Sequence, residues 1–131
     1  CFSTDKRNER AKMPKDKKTI RKASNGEIIA QVARYHRKGL PKLDHPEFAA
    51  LTPEDQKLVN ALAGVLRIAV GLDRTQDGRV KKITTSISDG ELKIAFTTTK
   101  KLDGDLNIYA AMERRTLLAD TTGLKVKVLA N

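Results

Sequence analysis

Two histidines, His36 and His45, lie nine residues apart and are the side chains of this sequence best suited to bind a metal or move a proton. A metal site needs three or four converging ligands, and the nearest acids are Asp44 and Glu47. The H-x8-H spacing is interrupted by Gly and Pro and matches no metal-binding motif. We therefore predict a structural or anion-facing role for both histidines, and neither a metal nor another cofactor.

Nucleophilic and phosphate-transfer chemistry is also poorly supported. Serine occurs only at positions 3, 24, 86 and 88, and none of these lies in a strand–turn–helix elbow. The segment DRTQDGR has one glycine and no Gly-Lys-Ser/Thr, so it is not a phosphate-binding loop. The carboxylate pairs Glu54–Asp55 and Asp103/Asp105 are interpreted as helix caps and turn formers. No catalytic residue is predicted, and we expect the chain not to be an enzyme by itself.

The basic residues form a more coherent pattern, because several cluster at the ends of two predicted helices. We predict that the following residues contact a phosphate-bearing anion: Arg34, His36, Arg37, Lys38 and Arg74. Arg67 interrupts an apolar helix, so its guanidinium needs a partner or a route to solvent. For Arg67 and Arg74, an internal ion pair and a phosphate contact remain open alternatives.

Charge is spread unevenly over the 131 residues, whose formal net charge is +10. Residues 1–25 hold nine Lys and Arg against three Asp and Glu, so most of the basicity belongs to the tail. Such a tail is either a solvated segment or an arm that binds a polyanion. Cys1 is the only cysteine, which excludes a disulfide framework and suits a cytoplasmic location. No apolar run is long enough for a membrane span, so no membrane partner is expected.

Two helices are predicted in the first part of the chain. Ser24 and Glu27 form a capping-box pattern, and Gly39 then ends a helix whose apolar residues follow a helical period. Thr52 is the N-cap of a second helix with Pro53 at its first position. That helix is nearly all apolar from Leu58 to Leu72, so it must be covered on several sides. One other clear helix cannot do this, and we expect a partner chain or upstream sequence to pack there.

The apolar period changes to two after residue 79. The segments VKKITTSIS and ELKIAFTTT predict a hairpin with a Gly-containing turn at Ser88-Asp89-Gly90. LNIYAA predicts a third strand, MERRTLLADTTG a short helix and LKVKVLA a last strand. The fold class is therefore α+β, with a helical region followed by a small β-β-β-α-β layer. We divide the chain into a basic irregular tail (1–24), a helical region (25–79) and the small subdomain (80–131).

Several separated motifs resemble one known family. ARYHRKGLPK, HPEFAALTPED, LRIAVGLDR and GRVKKI are similar to the C-terminal helical domain of the exopolyphosphatase/guanosine pentaphosphatase (Ppx/GppA) family. The later segments LKIAFTTT and DLNIYAAMERRTLLADTTG resemble the small β-α segment that closes those proteins. The resemblance covers about residues 25–131 and leaves residues 1–24 unmatched. It leads us to expect a C-terminal fragment, or a stand-alone remnant, of such an enzyme.

The resemblance also implies what the chain lacks. In that family the phosphatase chemistry belongs to two actin-like domains that precede this region, and none of their motifs occurs here. The helical region is similar to the HD superfamily, whose metal centre uses a His-Asp pair and a later Asp. This chain has no His-Asp dipeptide, and Val70 stands where the family commonly has that Asp. An HD-type metal centre is therefore not expected.

Three functions remain after this comparison. The leading one is a non-catalytic accessory domain that helps to bind polyphosphate or a phosphorylated nucleotide and that forms dimers, alone or with upstream actin-like domains or a partner chain. The second is nucleic-acid binding through the basic tail, residues 1–24. The third is a purely structural role, in which the apolar helix makes an interface.

Overall fold

The structure is a computed structural model that describes residues 22–37, 39–99 and 102–131. In this part of the chain the elements follow in the order α1 (Asn25–Tyr35), α2 (Pro46–Ala49), α3 (Pro53–Leu72), β1 (Val80–Ser88), β2 (Glu91–Thr98), α4 (Asp105–Glu113), α5 (Thr116–Thr122) and β3 (Lys125–Ala130). Helices and a three-stranded sheet thus share one chain, and the α+β class is confirmed.

The starts of the two long helices follow from their capping residues. The Ser24 side chain accepts a hydrogen bond from the Glu27 backbone N–H, and the Glu27 carboxylate accepts one from the Ser24 N–H, which completes the predicted capping box. In α3, the Thr52 hydroxyl accepts a hydrogen bond from the Asp55 N–H, and Pro53 occupies the first helical position. Both predicted helix starts are confirmed, because each depends on local hydrogen bonds alone.

The sheet has the order β1-β2-β3. Strands β1 and β2 form an antiparallel hairpin whose turn, Asp89-Gly90, has positive φ at both residues, 51° and 75°. Strand β3 runs parallel to β2, with Ile94 opposite Val128. Parallel neighbours need a crossover connection, and here α4 and α5 provide it.

The predicted third strand, LNIYAA (106–111), is wrong because these residues belong to α4. Its alternating apolar residues fit a strand, but the buried side chains are Asn107, Ala110 and Ala111, which follow the helical spacing i, i+3, i+4. The order after residue 79 is therefore β-β-α-α-β and not β-β-β-α-β. The helix predicted over MERRTLLADTTG is in fact the end of α4 and all of α5, and α5 ends at Gly123 with φ 75°.

Helix α3 joins two clusters of buried side chains. Its N-terminal half contributes Val59 and Ala63 to a cluster with α1 and α2, which contains Tyr35 and Phe48. Its C-terminal half contributes residues to a second cluster with the sheet and with α4 and α5. That cluster consists of Ile68, Leu72, Ile94, Phe96, Ala111, Leu118, Val126 and Val128. The same helix therefore fixes α1 relative to α4 and the sheet.

Two glycines of α3 let α4 and α5 approach this helix closely. A Cβ on Gly64 would lie 2.8 Å from the backbone nitrogen of Leu118, and one on Gly71 would lie 2.6 Å from the carbonyl oxygen of Ala110. The predicted elements left α3 without enough cover, and part of the missing cover comes from α4 and α5. The boundary at residues 79/80 stays a prediction, since helices from both sides of it pack together.

One side of α3 still lacks cover within the described residues. Five large apolar side chains at helical spacing are between 37% and 51% exposed: Leu58, Leu62, Val65, Leu66 and Val70. Isolated exposed apolar residues are ordinary, but a continuous stripe along a helix is typical of an interaction surface. The predicted need for a packing partner on α3 therefore persists.

Candidate anion-binding groove

An open groove of about 710 Å³ lies where the C-terminal ends of α1, α3 and α4 meet. It is lined by His36, Arg37, Arg67, Val70, Arg74, Leu106, Tyr109, Ala110, Glu113 and Arg114. Four of these residues are arginines and one is a carboxylate, so the groove is positively charged. The helix dipoles do not explain this charge, because their C-terminal ends are partially negative and attract cations.

His36 and Arg37 directly follow α1. His36 Nδ1 lies 2.6 Å from the carbonyl oxygen of Ala33. A carbonyl can only accept a hydrogen bond, so Nδ1 carries the proton and neutral His36 keeps a lone pair on Nε2. Arg37 is exposed, and its side chain has no hydrogen-bond or ion-pair partner within the described ranges. Arg37 is therefore available to an anion.

Arg67 is held by backbone carbonyls and not by a carboxylate. Its Nε donates a 2.8 Å hydrogen bond to the carbonyl oxygen of Tyr35, and its Nη2 donates one to that of Gly39. These contacts tie α3 to the C-terminal end of α1, where carbonyl groups lack helical partners. Partial burial lowers the pKa of Arg67 from its usual value. Neither alternative left open for Arg67 describes these contacts, which are structural.

Arg74 and Arg114 line the groove from α3 and α4. Arg74 follows the C-cap Asp73 of α3, and its guanidinium has no partner in the part of the chain that the structure describes. The predicted alternative of an internal ion pair is therefore not seen for Arg74. Arg114 Nη1 donates a 2.8 Å hydrogen bond to the carbonyl of Ala110 and so covers the end of its own helix. Arg74 is the less constrained of the two.

The predicted anion-binding residues are only partly brought together. His36, Arg37 and Arg74 line the groove, whereas Arg34 does not. The Arg34 guanidinium lies 3.3 Å from the Glu47 carboxylate, and Lys38 falls outside the described residues. The pKa of Glu47 is below its usual value, mainly because its own backbone N–H bonds the carboxylate, with Arg34 adding to the effect. Arg34 is thus engaged at the α1–α2 contact.

Sequence reasoning missed Arg114 because residues 106–111 were predicted as a strand, which placed ERR at the start of a helix and not at its end. It also missed the apolar wall of the groove, to which Leu106 and the 64% exposed Tyr109 belong. Val70, the position where the resembled family commonly has Asp, lies in the same wall and is 44% exposed. The helical spacing of Asn107, Ala110 and Ala111 becomes visible only in the folded structure, so the sequence carries no clear signal for these residues.

His45 lies outside the groove and supports the connector between α1 and α3. Its Nδ1 is 2.6 Å from the hydroxyl of Tyr35, and the two rings stack with centroids 5.6 Å apart. Its Nε2 lies 3.8 Å from Asp44, which favours a proton on that nitrogen and leaves Nδ1 to accept from Tyr35. Burial raises the pKa of Tyr35, so its hydroxyl stays protonated as the donor. Phe48 packs edge-on against the same ring.

The carboxylates that could have formed a catalytic pair have other partners. Asp55 is 3% exposed, accepts a 2.7 Å hydrogen bond from the Ala23 N–H and lies 3.7 Å from the Lys22 ammonium. Asp103 accepts a 3.3 Å hydrogen bond from the Asp105 N–H at the start of α4. Among residues 22–37, 39–99 and 102–131, no three His, Cys, Asp or Glu side chains are placed to share a metal ion. Asp103 is thus a turn residue as predicted, whereas the Asp55 carboxylate joins α3 to the start of α1 and is not a cap.

Comparison with known proteins identifies the family. No curated protein matches the chain. Within the described ranges, no helix combines the length and apolar character needed to cross a membrane. Residues 21–116, which include all the lining residues of the groove, match the family model of Ppx/GppA phosphatase, domain III. Because this match covers well over half of the sequence, the chain belongs to the Ppx/GppA phosphatase family and represents its C-terminal region.

Proposed function

We propose that this chain is a non-catalytic accessory domain of a Ppx/GppA-type phosphohydrolase, which helps to bind polyphosphate and forms dimers. The observation that carries the binding part is the meeting of two arginines, Arg37 and Arg74, in one groove. They follow the ends of different helices, α1 and α3, and neither guanidinium has a partner among the described residues. Unpaired guanidinium groups in a shared groove are well suited to a ligand with several phosphate groups.

The other lining residues support this role in different ways. Arg67 and Arg114 hold backbone carbonyls, and their remaining N–H groups and positive charge add to the field of the groove. His36 Nδ1 already bonds the Ala33 carbonyl, so Nε2 is the ring nitrogen left to face a ligand. Among the described lining residues Glu113 is the only acid, so a polyanion meets little repulsion from them. Polyphosphate is a dense line of charge and fits such a groove better than a monoanion does.

The proposal is tested by titrating the chain with long-chain polyphosphate. The double variant Arg37→Ala/Arg74→Ala is expected to bind about tenfold or more weakly, because two charge-assisted contacts are lost. A matched control is Lys93→Ala/Lys127→Ala, which removes the same charge from two exposed positions paired across the sheet. Equal weakening in both variants, or none in the first, would show that the groove is not the binding site.

Nucleic-acid binding through the basic tail remains the alternative function. Residues 1–21 lie outside the described residues, so only a binding experiment can compare the two ligands. A chain beginning at residue 22 keeps the Asp55–Ala23 contact and the Ser24 cap. If this chain loses nucleic-acid binding and also polyphosphate binding, the tail is the anion site and the groove is not.

A further inference from the structure

Strand β1 forms an edge of the sheet, and within the described part of the chain its outer side is unpaired. Edge strands expose backbone N–H and C=O groups that can pair with another strand. Lys81, Lys82 and a register irregularity protect the start of β1. The stretch from Ile83 to Ser88, ITTSIS, has no charge and no proline, so this part of the edge is unprotected.

The apolar face of the sheet continues onto this edge without cover. Ile83 is the register partner of Phe96, and Ile87 is the partner of Leu92. Phe96 is fully buried under the helices, whereas Ile83 is 50% and Ile87 64% exposed. The helices cover β2 and β3 and leave the same apolar layer open on β1. A strand beside β1 would extend this layer.

We infer that β1 pairs antiparallel with β1 of a second copy of this chain, about a two-fold axis at Thr85. In this register Ile83 of each copy lies opposite Ile87 of the other, and the two Thr85 residues face each other. The paired stretch from Ile83 to Ile87 thus contains no charged residue in either copy. Apolar and Thr–Thr pairs are among those that stabilise antiparallel neighbours.

Other registers do not give this match. A shift by one residue moves the isoleucines to opposite faces of the joined sheet. Moving the two-fold axis by one residue along β1 keeps all the isoleucines on one face of the joined sheet. It then places each isoleucine opposite Thr85 or opposite a charged residue. The self-complementarity of β1 is therefore specific to one axis, as an isologous interface requires. The result is a six-stranded sheet that runs through both copies.

The inference names a surface for the dimer formation in the proposed function and depends on it. The position of the two-fold axis is tested with Thr85→Cys in a Cys1→Ser background. The Cα atoms of facing residues lie about 4.5–5.5 Å apart in antiparallel strands, which is within the roughly 4.4–6.8 Å between Cα atoms that a disulfide spans. Mild oxidation is expected to cross-link this variant at least several-fold faster than Ser86→Cys, whose two copies lie diagonally across the axis.

Sedimentation of the full chain provides the second readout. Ile83→Lys is expected to raise the dimer dissociation constant at least tenfold, whereas Val65→Lys, at an equally exposed position on α3, should leave it unchanged. A dimer that survives Ile83→Lys and is lost with Val65→Lys would show that the chain dimerises through α3 and not through β1. A chain that is monomeric at all concentrations would overturn both the β1 surface and dimer formation, and polyphosphate binding in the groove would be unaffected.

Discussion

Arg67 Nε lies 2.8 Å from the carbonyl oxygen of Tyr35, so a charged side chain of α3 caps the end of α1. The same guanidinium also reaches the carbonyl of Gly39. These long-range contacts explain why an arginine interrupts the apolar helix α3, and the residues next to Arg67 in the sequence do not reveal them. Arg67 joins the two helix ends that carry Arg37 and Arg74 into the groove.

The Arg67 contacts predict a loss of stability on substitution. Arg67→Ala should lower the free energy of unfolding by about 1–3 kcal/mol, because the partly buried carbonyl of Tyr35 and the exposed carbonyl of Gly39 lose their donor. Arg74→Ala is the matched control and should change it by less than about 0.5 kcal/mol, since its guanidinium has no partner in the described chain. Urea denaturation followed by circular dichroism measures both. Equal losses of unfolding free energy in the two variants would mean that the Arg67 contacts to the α1 end do not stabilise the fold.

Gly71 is expected to tolerate no side chain. Gly71→Ala should destabilise the chain by about 1–3 kcal/mol, because the new Cβ would lie 2.6 Å from the backbone of α4 and force the helices apart. Gly26→Ala is the control: it lies in α1 with only Ser24 Oγ nearby, at 3.9 Å. That change should be neutral or raise stability by up to about 1 kcal/mol. Thermal unfolding of the two variants decides the matter.

Asn107 links α4 to the end of α3. It is fully buried, and its amide donates to the carbonyl of Leu72 at 2.7 Å and to the hydroxyl of Thr75 at 3.2 Å. Asn107→Leu should cost about 1–3 kcal/mol, since the Leu72 carbonyl loses its side-chain donor. Hydrogen exchange should show faster opening at the C-terminal end of α3. Unchanged protection there would argue against this role.

In the turn before β1, the pKa of Asp77 is expected to depend on Arg79. Arg79 Nε and Nη2 donate to the Asp77 carboxylate at 3.0 and 2.7 Å, and hydrogen bonds from Arg79 and then Thr75 hold the pKa of Asp77 well below its usual value. A depressed folded-state pKa gives stability that is present above the ordinary pKa and is lost as pH falls toward the folded value. In Arg79→Gln, NMR titration should show the Asp77 pKa rising toward normal. An unchanged pKa would contradict the assignment.

The parts of the fold that depend on local chemistry were predictable. The Ser24 box, the Thr52 cap and the Asp89-Gly90 turn are all recognisable from short stretches, and the structure places each where expected. Helix α4 was not predictable, because its alternating apolar residues also fit a strand. Its identity is fixed by packing: Asn107 and Ala111 are buried together against α3 and the sheet.

The groove follows the same division. His36, Arg37 and Arg74 could be selected because they lie at predicted helix ends, where basic residues are visible in the sequence. Arg34 was selected on the same ground but pairs with Glu47, which is 13 residues away. Which basic residues share a site depends on how helices cross. That information is carried by long-range contacts and not by the local pattern.

If Arg37 and Arg74 contact a polyanion together, the salt dependence of polyphosphate binding must change when both are removed. For single strands of nucleic acid, the slope of log K against log salt is about −0.7 per neutralised phosphate. By analogy, Arg37→Ala/Arg74→Ala should make the slope less steep by about 1.4, while Lys93→Ala/Lys127→Ala leaves it unchanged. Equal slopes for the wild-type chain and the arginine variant would mean that Arg37 and Arg74 do not contact the polyanion.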